Sequence, residues 1–497
     1  MSLNNVNGRG SEASKETEKY LIYGYLPTIG IECHVQLATK TKLFSGADND
    51  AREAEPNSKT SPIDFALPGM LPVLNKEAVR LAVRLGLALN AKINLRSRFD
   101  RKHYFYPDLP KGYQISQFYQ PIIGAGWVDA GGLKVRVEHA HLEEDAGKLT
   151  HVGGASLVDL NRAGTPLLEI VSMPDMHSAA DAKAYCLELQ RLAIYAGASD
   201  ANLYYGNMRF DVNISVAKQG AKKLGTRAEI KNLNSFRSVE RAVEYEFERQ
   251  VELLEKGEKV KQETRGWSEA KGKTLPQRSK EEAQDYRYMP EPDVPPVVLS
   301  RKFVDEIKAN MPLLPEKHRA CWAELGLSQS VVEAILDNLI LAQKLTTVIQ
   351  KLGLPEGREI AKIITNWFAN ILLSEENAAK DFHQLEVEAL IELAEMTAEK
   401  QLNSNSAKDI LLKLLDGKKR PKALAEEMNL LQVSDSGELE IIVDKVLGLP
   451  ESAQAVSDIK AGQMKAIGFL VGQVMKESKG KANPSVASEI IRRKIND

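Results

Sequence analysis

Three short segments of this chain alternate strictly between apolar and polar residues, which favours β-strands with one buried face. The segments are residues 29–37, 208–215 and 227–231. Since side chains of a strand point to opposite faces in turn, each segment gathers its polar residues on one side. These polar positions carry acids, bases and amides, namely Glu32 and His34, then Arg209, Asp211 and Asn213, then Arg227, Glu229 and Lys231.

The polar face has two interpretations. It can be a solvated outer face, as in most half-exposed antiparallel sheets. It can also be a functional surface, because Glu, Asp and Asn form strands poorly and cost stability there. The residue types favour the second interpretation, and alternation alone does not decide between the two.

A run of acids lies between the first two segments. It reads His141-Leu-Glu143-Glu144-Asp145-Ala-Gly-Lys148. Magnesium prefers oxygen ligands and needs only one or two carboxylates beside a nucleotide. Predicted metal ligands are Glu32, His34, Glu143 and Glu144, and Asp211 is a further candidate. Predicted contacts to phosphate or an anionic product are Arg209, Arg227, Lys231 and Lys148.

The common nucleotide-binding fingerprints are missing from the sequence. Gly272-Lys273-Thr274 resembles the end of a phosphate loop, but Trp267 stands where its first glycine is required. Any use of ATP would therefore depend on the polar sheet rather than on a glycine-rich loop.

Composition describes an ordinary globular chain. The 497 residues should form two to four domains, with 43% hydrophobic and 27% charged residues. The net charge of -2 gives no overall bias towards nucleic acid. The three cysteines lack metal-site spacing, and no apolar run is long enough to span a membrane, so we expect a cytoplasmic protein.

The pattern changes at a proline-rich break over residues 290–296. Before it, strand-like segments mix with helices predicted at 76–89, 179–196 and 239–254, which predicts an α+β fold with a largely antiparallel sheet. After it, amphipathic patterns predict helices at 328–352, 358–373, 385–401, 407–415 and 467–476. The second part should therefore be entirely helical.

A segment rich in bases and aromatic residues, Arg101 to Gln117, offers another candidate site. Aromatic faces stack on unpaired bases while Arg and Lys meet phosphates, so the segment suits single-stranded RNA. A structural loop rich in Tyr and Pro fits its composition equally well. Residues 159–166 and 229–236 leave a similar choice between a pocket wall and helix caps.

Taken together, these motifs resemble the B subunits of the aspartyl/glutamyl-tRNA amidotransferases, over nearly the whole chain. The resemblance is carried by Gly30-Ile-Glu-Cys-His34, Glu55-Pro-Asn-Ser58, Leu67-Pro-Gly69, Tyr104-Phe-Tyr-Pro-Asp108, Tyr113-Gln-Ile-Ser-Gln117, Glu143-Glu-Asp-Ala-Gly-Lys148, residues 159–166, residues 231–236 and Asp285-Tyr-Arg-Tyr288. The helical part contributes residues 468–476 and Asn483-Pro484.

The resemblance implies a fold and a reaction. Residues 1–297 would form a cradle domain similar to the glutamine synthetase catalytic fold, with residues 1–20 as a disordered extension. Residues 298–350 would form a helical connecting domain, and residues 351–497 a helical tail domain that binds tRNA. With ATP and Mg²⁺, the protein would phosphorylate the side-chain carboxylate of Glu-tRNA(Gln) or Asp-tRNA(Asn). Ammonia from a partner glutaminase (amidase), the A member of a heterotrimer, would then displace the phosphate, and a small C member would complete the complex.

The resemblance also implies roles for individual positions. Catalytic roles fall on Glu32, His34, Glu144 and Asp211. Cofactor-binding roles fall on Arg209, Asn213, Glu229, Lys231 and Asn232. Positions near the substrate end and the ammonia channel are Lys111, Tyr113, Gln114 and Ser116.

This chain departs from the family pattern at several positions. Many members hold zinc through four cysteines where this chain has Ser45, Ala47, Ser61 and Asp64, so we expect no structural zinc. Tyr205, Asn207 and Met173 also replace residues common in the family, and the metal ligand set can differ accordingly. A noncatalytic tRNA-binding scaffold is the competing function, and the sequence leaves open which tRNA is the substrate.

Overall fold

A computed structural model of the protein describes residues 21–279, 285–377, 379–417, 420–432, 436–478 and 482–496. The predicted disordered extension, residues 1–20, lies outside the described residues. The chain divides into two compact units, Met1–Pro315 and Glu316–Asp497.

The first unit contains the strands. They are β1 (Tyr25–Gln36), β2 (Arg96–Ser97), β3 (Asp100–His103), β4 (Tyr113–Ser116), β5 (Gly126–Ala130), β6 (Leu133–Glu144), β7 (Lys148–Val152), β8 (Ala155–Asp159), β9 (Pro166–Ser172), β10 (Met208–Lys218), β11 (Ala228–Leu233), β12 (Glu263–Ser268), β13 (Lys273–Ser279), β14 (Met289–Pro290) and β15 (Val297–Val298). Eight of them form the main sheet, in the order β13-β12-β11-β10-β1-β9-β6-β5. Smaller sheets are β14-β3-β4, β15-β2 and the β7-β8 hairpin.

The helices of this unit include the three that apolar spacing predicted. They are α1 (Lys76–Ala88), α2 (Ala179–Tyr195) and α3 (Phe236–Glu255), and α4 (Arg301–Ala309) follows them. The helix predicted at 239–254 begins earlier, at Phe236, because the Ser235 side chain accepts a hydrogen bond from the Ser238 amide and caps it.

The apolar face of the main sheet is covered by helices. Ile29, Ile31 and Cys33 of β1 are fully buried, in one core with Leu189 of α2 and Val243 of α3. Burial of this face leaves the polar residues of the same strands on the opposite side, which is the side that carries the candidate site.

The predicted α+β class with a largely antiparallel sheet is confirmed, and the main sheet contains one parallel pair of strands. Strands β11 and β12 run parallel, because α3 carries the chain from one end of β11 back to the start of β12. Such a helical crossover is the usual way to join two parallel neighbours.

The second unit is helical, as its composition predicts. Helix α5 (Pro315–Trp322) begins at the boundary between the units. The helices that follow are α6 (Gln329–Leu336), α7 (Leu339–Leu352), α8 (Arg358–Trp367), α9 (Val387–Ala398), α10 (Ser404–Leu414), α11 (Pro421–Glu427), α12 (Ser436–Leu447), α13 (Ala453–Lys460), α14 (Ile467–Glu477) and α15 (Pro484–Asn496).

The prediction of a single helix over residues 328–352 was wrong, since the structure has two helices there, α6 and α7. Asn338 interrupts the pattern, and its side chain accepts a hydrogen bond from the Leu341 amide at 3.1 Å. Asparagine favours such an N-cap over a helix interior. The apolar spacing continued across this cap, so periodicity alone did not reveal it.

The last helices of the second unit share a core of their own. Leu439 and Val443 of α12, Leu470 and Val474 of α14 and Ile491 of α15 are fully buried together. Among the described residues, no helix is both long and apolar enough to cross a membrane.

Candidate active site

The polar face of β1 is the centre of the candidate site. In the register between β1 and β10, Glu32 lies opposite Asp211, and His34 lies opposite Arg209. On the other side of β1, His34 lies opposite Glu169 of β9. Polar residues more than a hundred positions apart in sequence are therefore neighbours on one surface.

Two histidines and two carboxylates form the first group, which we call the histidine cluster: His34, His141, Glu143 and Glu169. The Nε2 atoms of both histidines lie 3.4 Å from Oε2 of Glu169. Glu143 is the second acid, with its oxygens 3.8 Å from His34 Nε2 and 3.5 Å from His141 Nε2. Its carboxylate is nearly buried, with 5% of the side chain exposed.

Opposite charges in the histidine cluster stabilise the charged forms of its two histidines and of Glu169. Burial lowers the pKa of His141, but hydrogen bonds and charge from Glu143 and Glu169 outweigh it and raise the pKa to about 10. Burial likewise opposes the charged form of His34, while Glu169 and Glu143 leave its pKa raised. Burial raises the pKa of Glu169, yet the two histidines hold it well below its usual range.

Three carboxylates form the second group, the acidic cluster: Glu32, Asp211 and Glu229. Lys231 Nζ lies 2.6 Å from Asp211 Oδ2 and 3.1 Å from Glu229 Oε1. The Asn213 amide donates to Glu32 Oε1 at 2.9 Å. Lys231 thus places one positive charge between two of the three carboxylates.

The pKa shifts in the acidic cluster follow from this crowding. Burial raises the pKa of Glu32, and charge from Glu169, Asp211 and Glu229 adds to the rise, against the hydrogen bond from Asn213. Burial lowers the pKa of Lys231, but Asp211 and Glu229 reverse the effect and raise it. A divalent cation would relieve the repulsion among the acids.

Each cluster has a donor set that fits a cation. In His34, Glu143 and Glu169, one ligand atom from each residue lies within 4.8 Å of the others, and the same holds for Glu32, Asp211 and Glu229. Carboxylate oxygens are the ligands that Mg²⁺ prefers. The acidic cluster offers only carboxylates, whereas the histidine cluster adds an imidazole nitrogen.

Glu144 lies apart from both clusters. Its carboxylate accepts from Lys111 Nζ at 2.6 Å and from the Ile115 amide at 2.9 Å. Neighbouring residues of a strand point to opposite sides, so Glu143 joins His34 while Glu144 turns towards β4. The structure therefore does not bring together all four predicted metal ligands.

The predicted substrate and channel residues lie against the same end of β6. Ser116 Oγ donates to Glu143 Oε2 at 3.3 Å, and Gln114 Nε2 donates to the Glu144 carbonyl at 2.8 Å. The Arg101 guanidinium lies 4.3 Å from the centre of the Tyr113 ring. Strand β4 thus links the predicted substrate segment to the histidine cluster.

The predicted phosphate contacts are distributed around the clusters. Arg209 Nη2 pairs with Asp145 Oδ2 at 3.0 Å, and the charge of Asp145 is the main cause of its raised pKa. Arg227 lines a cavity of about 290 Å³ together with Glu32 and Asn213. Lys148 lines another of about 540 Å³.

Asn232 lies at a distortion of the sheet. It has a φ of +67°, and the register between β10 and β11 shifts at this point. Asparagine tolerates this left-handed conformation better than most residues. The residue is exposed.

Sequence reasoning missed Glu169. It lies in β9, whose sequence Pro-Leu-Leu-Glu-Ile-Val-Ser is otherwise apolar or small. A lone acid inside such a strand is itself a signal, because an uncompensated charge would be costly to bury. The partners that compensate it, His34 and His141, come from other strands and become visible only in the sheet.

The positions that the sequence resemblance compares with zinc-binding cysteines include a hydrogen-bonded group around Asp64. Asp64 accepts from the Ser61 amide at 2.8 Å and from Ser61 Oγ at 3.0 Å. Ser45 Oγ lies 3.4 Å from either oxygen of Asp64. Lys42 Nζ completes the group, 3.2 Å from Asp64 Oδ2.

Comparison with known proteins agrees with this architecture. Residues 27–305 match the family model described as the GatB/GatE catalytic domain, and residues 330–495 match the GatB domain. Two bacterial relatives are B subunits of aspartyl/glutamyl-tRNA(Asn/Gln) amidotransferases. That of Methylobacillus flagellatus is 45% identical, over 94% of this chain and 98% of the relative. That of Geotalea daltonii is 44% identical, over 95% of this chain and 99% of the relative.

A plant relative extends the comparison. The corresponding protein of Ricinus communis, from a chloroplastic/mitochondrial glutamyl-tRNA(Gln) amidotransferase, is 43% identical, over 97% of this chain and 89% of the relative. The fold and the two clusters on its polar face define a class of protein in which a GatB/GatE-type catalytic domain is followed by a helical GatB domain. Within that class, the chain belongs to the family of tRNA-dependent amidotransferase B subunits, which confirms the resemblance seen in the sequence motifs.

Proposed function

We propose that this protein is the activating subunit of a glutamine-dependent amidotransferase that converts Glu-tRNA(Gln) or Asp-tRNA(Asn) into the amidated form. Family membership over nearly the whole chain supports the overall reaction. The observation that carries the assignment of activation to this protein is the pair of adjoining clusters on one sheet face, each with a donor set that fits a divalent cation.

The reaction needs activation because a carboxylate is a poor acyl donor. Transfer of the terminal phosphoryl group of ATP to the side-chain carboxylate converts an oxygen into part of a leaving group. Ammonia then attacks the carbonyl carbon, the carbon–oxygen bond to phosphate breaks, and the amide and inorganic phosphate leave. Catalysis of phosphoryl transfer depends mainly on positioning and charge neutralisation.

In this proposal each of the two clusters would hold one cation. His34, Glu143 and Glu169 would hold one Mg²⁺, and Glu32, Asp211 and Glu229 would hold another. Bound Mg²⁺ supplies positive charge that neutralises the phosphates of ATP. His141, which is outside this ligand group, would orient Glu169 through the contact of its Nε2 with Glu169 Oε2.

Cations and amides of the sheet would contact the nucleotide. Lys231 is held beside Asp211, and Arg227 faces the cavity that Glu32 and Asn213 also line. Arg209, Glu229 and Asn232 complete the proposed cofactor-binding set. The cationic and amide side chains of this set would meet phosphate or ribose through charge-assisted and neutral hydrogen bonds. The carboxylate of Glu229 repels phosphate and would act through the bound cation.

Residues of β4 and the preceding turn would guide the substrate and ammonia. Lys111, Tyr113, Gln114 and Ser116 approach the end of β6 beside Glu143 and Glu144. In this proposal Glu144 acts catalytically through its ion pair with Lys111, rather than as a cation ligand.

The remaining assignments concern partners. We propose two partner proteins, a glutaminase (amidase) as the A member of the complex and a small protein as its C member. Residues 298–350 would be a helical connecting domain, and residues 351–497 the tail that binds the tRNA body. The cytoplasmic location and the lack of structural zinc stay predictions.

The test uses the purified heterotrimer with Glu-tRNA(Gln) or Asp-tRNA(Asn), ATP, Mg²⁺ and glutamine. We expect amidated aminoacyl-tRNA with ADP and phosphate as co-products, and replacement of glutamine by ammonium should support the same turnover. Amidation that needs no ATP, or no amidation of either substrate, would contradict the proposal.

Two variants test the site itself. Glu169→Gln removes the charge shared by the two histidines, and Glu144→Gln removes the charge paired with Lys111. Each should lower ATP-dependent activation by at least about 100-fold, because preorganised charge is a large part of such catalysis. Glutaminase activity of the partner should remain.

A matched control separates charge at the site from charge in general. Glu248→Gln makes the same change at an exposed position of α3, and we expect unchanged amidation. If both site variants retained full activation, the protein would be better described as a tRNA-binding scaffold.

A further inference from the structure

Six aromatic rings from three separate segments touch in an unbroken row, which we call the aromatic row. Ring-centre distances are 6.0 Å for Tyr106–Tyr104, 6.2 Å for Tyr104–Tyr286, 6.1 Å for Tyr286–Tyr288, 4.0 Å for Tyr288–Phe118 and 5.0 Å for Phe118–Tyr119. Tyr288 and Phe118 are nearly parallel, at 15°. Three rings of the row are half-buried, Tyr104, Tyr286 and Tyr288, and the other three are exposed.

Both ends of the row are open to solvent, and Tyr106 at the end away from Phe118 is 43% exposed. Phe118 and Tyr119 are each 55% exposed. Their backbone is nevertheless fixed, because the amides of both residues donate to Asp100 Oδ2 at 3.0 and 3.1 Å. A rigid, exposed ring loses little conformational freedom when a flat ligand stacks on it.

Cations flank the rings along the row. Lys102 Nζ lies 5.0 Å from the centre of the Tyr286 ring and 5.8 Å from that of Tyr104. The Arg98 guanidinium lies 5.6 Å from the centre of the Tyr119 ring. Rings with interleaved positive charge suit a ligand that has both aromatic faces and anionic groups.

The row borders the candidate active site. Phe118 follows two residues after Ser116, whose hydroxyl donates to Glu143 of the histidine cluster. Burial is the main cause of a raised pKa at Tyr288, and the charges of Glu143 and Glu169 add to it. The contact of Ser116 with Glu143 therefore places the Phe118 end of the row near the histidine cluster.

We propose that the aromatic row stacks the unpaired bases at the 3′ end of the aminoacyl-tRNA and so delivers the esterified amino acid to the histidine cluster. This inference rests on the proposed function, because it assumes that the substrate is carried by RNA. Every base has a face that can stack, so the row would hold the single-stranded end without reading its sequence. Lys102 and Arg98 would meet the phosphates between the bases.

A protein partner is the other occupant that an exposed aromatic surface can have. Two observations favour RNA: Lys102 and Arg98 lie beside three of the six rings, and the row borders the site that must receive an amino acid ester. Both features match an RNA strand whose 3′ end carries the amino acid as an ester.

The experiment compares two RNA probes bound to the purified heterotrimer. One is a tRNA(Gln) transcript, and the other is the same transcript without its unpaired 3′-terminal nucleotides. Fluorescence anisotropy gives Kd for each, and 2-aminopurine placed in the unpaired end reports stacking by quenching. We expect the wild type to bind the full transcript more tightly and to quench the probe.

Phe118→Leu and Tyr119→Leu remove a ring but keep an apolar side chain. Each should weaken binding of the full transcript by about 5-fold to 150-fold, the range for loss of one base–aromatic stack. Binding of the shortened transcript should stay unchanged, and quenching should fall. Phe118→Tyr keeps the ring and should keep the affinity, which separates stacking from damage to the fold.

Phe105→Leu is the matched control. Phe105 lies in the same region and is 84% exposed, but no ring contact joins it to the row in the described part of the chain. The Phe105→Leu variant should bind both transcripts as the wild type does.

The outcomes distinguish a failure of the aromatic row inference from a failure of the proposed function. If wild type amidates normally but the Leu variants bind both transcripts like wild type, the aromatic row inference is wrong and the proposed function stands. Loss of the partner proteins from the variant complex, with unchanged RNA binding, would assign the row to a protein interface. If wild type neither binds nor amidates tRNA, the proposed function itself fails.

Discussion

The buried pair Lys42–Asp64 should be sensitive to the loss of either partner, because each charge compensates the other inside the protein. The Lys42 side chain is 0% exposed and that of Asp64 is 5% exposed, with 3.2 Å between Nζ and Oδ2. Lys42 also donates to the Leu160 carbonyl at 3.3 Å. The pair thus joins the segment after β1 to the segment before β9.

Asp64→Asn is the perturbation that isolates charge, because asparagine has nearly the same shape. Removing one partner of a buried ion pair costs about 3–5 kcal/mol, since the other charge stays buried and unpaired. Burial already lowers the pKa of Lys42 against the attraction of Asp64, so without Asp64 the ammonium is further disfavoured. We expect the free energy of unfolding to fall by about 3 kcal/mol or more.

Urea unfolding followed by circular dichroism measures this change. Asp50→Asn is the control, because Asp50 forms an exposed pair with Arg52, with side chains 54% and 48% exposed. An exposed pair contributes about 0–1 kcal/mol. Replacing both buried partners, Lys42→Met with Asp64→Leu, should recover most of the loss. Equal effects of Asp64→Asn and Asp50→Asn would refute the reasoning.

Two further predictions concern the cysteines and a helix cap. Burial raises the pKa of the Cys33 and Cys186 thiols well above the usual range, so native alkylation with iodoacetamide near neutral pH should modify the partly exposed Cys321 first. Peptide mapping by mass spectrometry checks the order, and equal rates at the three sites would contradict it. Asn338→Ala removes the cap of α7 and should lower the free energy of unfolding by about 0.5–2 kcal/mol. Asn338→Asp, which keeps a capping oxygen, should lose less in the same urea titration.

The strands of the site were predictable because alternation is a local property. The period of two in residues 29–37 already places Glu32 and His34 on one face, and burial of Ile31 and Cys33 confirms which face is the core. Helix α2 was predictable from its apolar spacing for the same reason. In contrast, Asn338 divides a continuous apolar pattern through a cap whose effect depends on its own backbone conformation.

The grouping of the site residues was decided by tertiary structure. Strand register places Glu32 opposite Asp211 and puts His34 between Arg209 and Glu169, so two residues that look like one motif belong to different clusters. Hydrogen bonds between strands set that register, and they join segments more than a hundred residues apart.

By itself, the sequence determined the α+β class, the helical second part, the family and the polar face of β1, because periodicity and motif order are properties of the chain alone. Only the tertiary structure separated Glu144 from Glu143, brought Glu169 to the histidines and assembled Phe118 and Tyr288 into one row. The physical reason is that charges and rings act over a few ångströms, and the fold decides which of them come within that range.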